Sequence, residues 1–158
     1  MTELTHVDAG GEARMVDVGS KPETERVARA SGCIRMGPGT LAAIEANQLR
    51  KGDVVAVARV AGVMAAKRTA ELIPLCHPVA ITDVRIDVRA DAELPGLRVE
   101  AEARTIGRTG VEMEAIVAVA TTLMTIYDMA KAHDRGMVIS DVRLEAKTGG
   151  KSGSWTRG

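Results

Sequence analysis

"ITDVRIDVRADAELPGLRVEAEART", residues 81–105, decides the fold. Residues 81–90 alternate, with Val84, Ile86 and Val88 on one side and Asp83, Arg85, Asp87 and Arg89 on the other. "AELPG" turns the chain. Residues 97–105 then alternate again, Leu97, Val99, Ala101 and Ala103 opposing Arg98, Glu100, Glu102 and Arg104. A period of two, broken by Pro and Gly, predicts a β-hairpin with one buried face and one wet face.

On the N-terminal side, residues 53–72 carry a helical pattern. Val54, Val57, Ala58, Ala61, Met64, Ala65, Arg68 and Leu72 recur at three and four residues, apolar but for Arg68, until Pro74 stops them. On the C-terminal side, "GRTG" leads into "VEMEAIVAVATTLMTIYDMAKAHD", 111–134, with no Gly or Pro inside. That helix is apolar almost all round in its middle, so it needs cover on a second side, which another subunit would supply. Further out, residues 24–36 read as a strand. "GPG" then breaks the chain, Thr40 caps a short helix through about Asn47, and residues 137–146 form a last strand. The order is strand, helix, helix, hairpin, helix, strand. It fits an α+β ferredoxin-like sandwich, an antiparallel sheet with helices packed on one face. Residues 1–20 are expected to be a partly disordered segment and 21–158 a single domain.

Composition narrows the function classes. The formal net charge is zero, so nothing draws the whole molecule toward nucleic acid or an anionic membrane. One Trp, one Tyr and no Phe cannot build aromatic platforms for stacked bases. The first residues show no basic start followed by an apolar run, and no stretch of about 18 uncharged apolar residues is present. Cys33 and Cys76 are isolated, which points to a reducing cytoplasm.

Three segments carry candidate chemistry. Cys76 and His77 lie side by side in a bend stiffened by Pro74 and Pro78. That bend reads either as a simple helix-to-strand connection or as a rigid turn that aims a His at an anion. It lacks the further ligands a metal would need. "GRTGVEMEA" places Thr109 and Glu112 three apart, as in a capping box, which alone would explain Glu112 and Glu114. Asp128 sits in the last turns of the long helix with Lys131 three residues on. They form either a local ion pair or an acid/base pair. The tail "KTGGKSG" departs from the phosphate-loop pattern, since Glu145 stands where a Gly is required.

Together, "KGDVVAVARVAGVMAAKRTAELIPLCHP", "GRTGVEMEA", "TIYDMAKA", "KTGGKSG" and the N-terminal "LTHVDAGGEARMVDV" closely resemble the molybdenum-cofactor biosynthesis protein C family, from Leu4 to Gly153. The resemblance implies a lyase that converts 3′,8-cyclised dihydro-GTP into cyclic pyranopterin monophosphate and releases pyrophosphate. It implies a ferredoxin-like fold and a homohexamer, a trimer of dimers, with sites shared between subunits. Carried over residue by residue, Leu75, Cys76, His77, Met113 and Glu114 become substrate contacts, with Glu112 and Lys67 beside them. Asp128 becomes the catalytic acid/base, with Lys131 and Lys51 beside it in the catalytic set, and Lys51, Lys67 and Lys131 match the family's functional lysines. Lys147 and Arg26 would add charge for the triphosphate. No resident cofactor is implied, although Mg²⁺ could accompany the phosphates. In the shared-site arrangement two copies of the long helix pack antiparallel through Val117, Val119, Ala120, Leu123 and Met124. The rival reading is a non-catalytic nucleotide-sensing domain on the same fold, and pyrophosphate release separates the two.

Overall fold

The computed structural model describes residues 10–158. The expectation of disorder for residues 1–20 therefore lies partly outside the described residues, and residues 10–23 carry no helix and no strand longer than a single bridge. The elements are β1 Thr24–Arg35, α1 Pro38–Glu45, α2 Val54–Lys67, α3 Thr69–Leu72, β2 Ile81–Asp91, β3 Gly96–Gly107, α4 Glu112–Ala130, β4 Val138–Thr148 and β5 Trp155–Thr156. The sheet order is β2-β3-β1-β4-β5 and every pairing is antiparallel. β5 was not legible in the tail and adds a short edge strand to β4.

The hairpin forms as its alternation required, Val84 opposing Ala103 and Val88 opposing Val99. Its turn is held by Asp91, whose Oδ1 accepts from the Glu93 and Leu94 amides at 3.0 and 3.1 Å. In the middle of the sheet, Ala28 faces Ala103 and Ala30 faces Ala101, all nearly fully buried. These small side chains let α4 lie close against β1, β3 and β4, while α2 covers β2 and packs along α4.

Five local expectations need correction. α2 ends at Lys67 and α3 restarts after Arg68, which leaves the helical backbone at φ −113°, ψ 14°. The buried stripe of α2 is Val54, Ala58, Gly62 and Ala66, whereas Val57, Val60 and Met64 face outward. The reason is steric: a Cβ on Gly62 would meet Thr122 Oγ1, Ile86 Cδ1 and the Ala118 carbonyl. The smallest residues must therefore face α4 and β2, and the bulkier ones turn out.

α1 begins at Pro38 with Gly37 as its N-cap, not at Thr40, whose buried hydroxyl instead meets His133 Nδ1 at 2.9 Å. The Thr109–Glu112 capping box does not form, because the N-cap of α4 is Val111, with no side-chain cap. α4 stops at Ala130, not at 134: the His133 and Asp134 amides both return to the Ala130 carbonyl.

α4 is long and apolar enough to cross a membrane by length and composition alone, yet more than half of it is buried inside this fold. It is the core helix. Its cover comes largely from this chain: Val119 and Leu123 are fully buried and Val117 nearly so. The expected helix-to-helix contact through Val117, Val119 and Leu123 is therefore not available to a second copy. The exposed apolar side chains in this part of the fold are Val57, Val60, Met64, Leu72 and Met124.

Candidate active site

The two ends of α4 each hold one cluster of candidate residues. At its N-terminal end is a cavity of about 300 Å³. One wall is Leu75, Cys76 and His77, set by the turn in which the Cys76 amide donates to the Ile73 carbonyl at 3.1 Å. The other wall is Thr109 and Gly110 with Glu112, Met113 and Glu114 from the first turn of α4. A Cβ on Gly110 would meet the Glu112 carboxylate, so Gly110 lies hard against that wall.

Glu114 is only 4% exposed. Burial, joined by the neighbouring charge of Glu112, pushes its pKa up to about 6. Burial first, then the charge of Glu114, also raises the Cys76 thiol. This end thus holds a carboxyl group that changes protonation near neutral pH and a thiol kept neutral.

The mouth of the cavity is braced from β1 and from the tail. Arg26 is largely buried and donates from Nε to the Gly107 carbonyl at 2.8 Å and from Nη2 to the Arg108 carbonyl at 3.1 Å. Those N–H groups brace the loop, so Arg26 is not the freely presented phosphate cation the sequence suggested. Lys147 lies 3.6 Å from Glu112 and also contacts Ser152 Oγ. It ties the glycine-rich tail to the cavity rim.

At the C-terminal end, three of the expected residues meet. Lys51 Nζ donates to Asp128 Oδ2 at 2.8 Å, and Lys131 Nζ donates to Asp128 Oδ1 at 2.6 Å. The two ammonium groups, Lys131 foremost, hold the Asp128 carboxyl down at about 2. All three side chains are about half exposed. The arrangement is a carboxylate bridging two cations at the surface, open to an incoming anion.

Glu114 and Asp128 share one unbroken helix and lie fourteen residues apart, about 21 Å. The structure therefore collects Leu75, Cys76, His77, Glu112, Met113 and Glu114 at one end and Lys51, Asp128 and Lys131 at the other. Lys67, exposed at the end of α2, belongs to neither cluster, and its side chain makes no hydrogen bond or ion pair among the described residues. Thr109 and Gly110 were missed as cavity residues, although "GRTG" directly before a helix could have signalled them.

A larger concavity, about 810 Å³, lies on the sheet face away from the helices. Its arginines Arg85 and Arg143 already hold Asp83 and Glu145, and Arg98 holds Asp91. Most of its charges are already paired with one another or with neighbours on the sheet. Among the described residues no group of three or more His, Cys, Asp and Glu could hold a metal ion. Asp128 is already engaged by two lysines.

The chain is an α+β protein with an antiparallel ferredoxin-like sheet, a polar cavity at one end of its core helix and a lysine–carboxylate cluster at the other. The MoaC family model matches residues 15–150, and the chain belongs to that family. A cyclic pyranopterin monophosphate synthase of Thermomicrobium roseum is 57% identical over 157 residues, covering 99% of this chain and 95% of the relative. Proteins of the same name from Brucella ovis and Brucella melitensis are each 60% identical over 153 residues, 97% of this chain and 93% of theirs. The chain is an enzyme of molybdenum cofactor biosynthesis.

Proposed function

We propose that the chain is a cyclic pyranopterin monophosphate synthase. It takes (8S)-3′,8-cyclo-7,8-dihydroguanosine 5′-triphosphate to cyclic pyranopterin monophosphate and releases pyrophosphate. The observation that carries the reading is the division of labour along α4. A cavity with a buried carboxyl group suits a flat, N–H-rich heterocycle, and a pair of lysines suits phosphates. Glu114, ionised above about 6, accepts from the ring and amino N–H groups of the guanine-derived portion, and His77 donates to a carbonyl.

Proton handling falls to Lys51 and Lys131. Asp128 is ionised throughout the working range, so it serves as the fixed anion that orients both ammonium groups and stabilises charge as protons move. When phosphate arrives, the lysines are already half exposed and close to its path. They neutralise the oxygens of the departing pyrophosphate. Lys67, exposed at the end of α2, adds to the charge seen by the triphosphate.

Because the two clusters are about 21 Å apart on one helix, a single substrate reaches both only if two chains contribute. We therefore read the working unit as a homohexamer, a trimer of dimers, with each site shared, acting in the cytoplasm. The contact surface is the exposed apolar row of α2, Val57, Val60 and Met64, with Leu72 and Met124, in place of the buried girdle of α4.

The test is direct. Purified protein given the cyclised triphosphate should release pyrophosphate in step with pterin product. A protein that binds the compound without turnover would support the nucleotide-sensing alternative.

A further inference from the structure

The lysine–carboxylate cluster is too exposed to hold itself in one geometry. Lys51 is 48% exposed and Asp128 56%, and exposed pairs of that kind contribute little to holding a geometry. Something else must set their positions. Lys51 lies just beyond α1, in a connection folded onto that helix: the Gln48 amide donates to the Ala43 carbonyl at 2.9 Å and the Gly52 amide to the Leu49 carbonyl at 3.0 Å. The placement of Lys51 therefore follows the placement of α1. α1 has only eight residues and no side-chain cap of its own.

Besides Leu41 and Ile44, which α1 buries in the core, the hook that follows α4 ties this helix down. Its amides 133 and 134 return to the Ala130 carbonyl, and Tyr127 Oη donates to the Arg135 carbonyl at 3.1 Å. From that hook two side chains reach α1. Asp134 Oδ2 accepts from the Gly37 amide at 2.9 Å, at the N-terminus of the helix, where negative charge is favoured. Its Oδ1 accepts from the Gly136 amide at 2.8 Å, which closes the hook. His133 Nδ1 meets the hydroxyl of Thr40, which is only 3% exposed, so loss of this partner leaves a buried polar group poorly matched.

We propose that His133 and Asp134, acting through Thr40 and Gly37, are positioning residues for the lysine–carboxylate cluster. They lock the element that carries Lys51 to the end of the helix that carries Asp128 and Lys131. They touch neither substrate nor the reacting atoms. A slip of about 1 Å between the two elements separates Lys51 from Asp128 and degrades the arrangement in which a phosphate is met. The proposal rests on the cluster being catalytic, as read above.

The test uses the full-length protein with Thr40→Val, Thr40→Ser, His133→Ala and Asp134→Ala. Steady-state kinetics are measured with the cyclised triphosphate. Acylation of Lys51 by an amine-selective ester is measured by mass spectrometry, with Lys67 in the same molecule as internal standard. Thr40→Val and His133→Ala should each lower kcat about tenfold or more while KM stays within about twofold. Freed from its carboxylate, Lys51 should gain about threefold in reactivity relative to Lys67. Thr40→Ser should restore both readouts.

His133→Ala changes an exposed side chain and decides the matter if Thr40→Val fails to fold. A folded variant with unchanged kcat overturns the proposal, and so does a fall in kcat with Lys51 reactivity unchanged. If instead Lys51→Met is fully active, the catalytic reading of the cluster fails. The Lys51 reactivity ratio would still test whether the tether holds that residue.

Discussion

Lys51 engages Asp128 twice, its Nζ donating to Oδ2 at 2.8 Å and to the backbone carbonyl at 2.9 Å. A residue from the loop after α1 thus reaches the last turn of α4 and meets Lys131 across one carboxylate. Two cations on one exposed carboxylate make an anion-ready cluster, not a stabilising element of the fold.

Asp128→Asn should therefore leave the melting temperature nearly unchanged while lowering kcat at least about a hundredfold. Differential scanning fluorimetry and a pyrophosphate-release assay check the two halves. With its carboxyl held near 2, Asp128 also contributes no protonation step to the rate profile across the working range. An Asp128→Asn enzyme with wild-type turnover would remove the residue from the mechanism.

The group that does titrate is Glu114. Burial raises its pKa to about 6, above the ordinary glutamate value, so the protonated form is the one the fold prefers. Its contribution to stability is present at acid pH and is lost as pH rises through about 6. Glu114→Gln should accordingly stabilise the protein at pH 8, by about 2 kcal/mol at most, and the gain should vanish below about pH 4.5. If the ionised carboxylate receives the heterocycle, kcat/KM of the wild type rises with pH through about 6, and that limb is missing in Glu114→Gln. A wild-type profile flat from pH 5 to 8 would contradict this assignment.

Much of the architecture was legible in the sequence because it depends on periodicity. The hairpin 81–105, the long helix from Glu112 and the overall order of elements follow from apolar spacing and from Pro and Gly. The errors fall where tertiary contacts outvote local signals. Thr40 carries a capping side chain, but Pro38 already starts α1 and a remote carboxylate, Asp134, meets its first amide. Val57 and Met64 fit a helical stripe as well as Ala58 and Gly62 do. Only the close approach of α4 decides between them. Likewise, an apolar girdle on α4 does not reveal whether the same chain or a second copy covers it.

The site was legible in part. The Cys76–His77 bend and the "VEME" turn meet in one cavity, and Asp128 meets two lysines. The roles of Arg26 in bracing the Gly107–Arg108 loop and of His133 and Asp134 in holding α1 had no local signal. They depend on residues distant in the chain.

The α2–α4 contact offers a stability test independent of the chemistry. Gly62→Val places a branched side chain where Thr122, Ile86 and the Ala118 carbonyl already stand. It should destabilise the fold by about 1–3 kcal/mol, or more if α2 cannot shift. Ala61→Val, one position round the helix, should have a much smaller effect. Chemical denaturation of both variants checks the order, and equal stabilities would refute the assigned buried face.

The central claim is that one substrate is served by the Glu114 end of one chain and the Asp128 end of another. Glu114→Ala and Asp128→Ala chains, each inactive alone, should be dissociated together, reassembled and assayed for pyrophosphate release, with subunit exchange verified by native mass spectrometry. The shared-site account predicts that mixed assemblies recover a sizeable fraction of wild-type activity, because a mixed interface contains one intact pair of ends. Confirmed exchange with no recovered activity would contradict it.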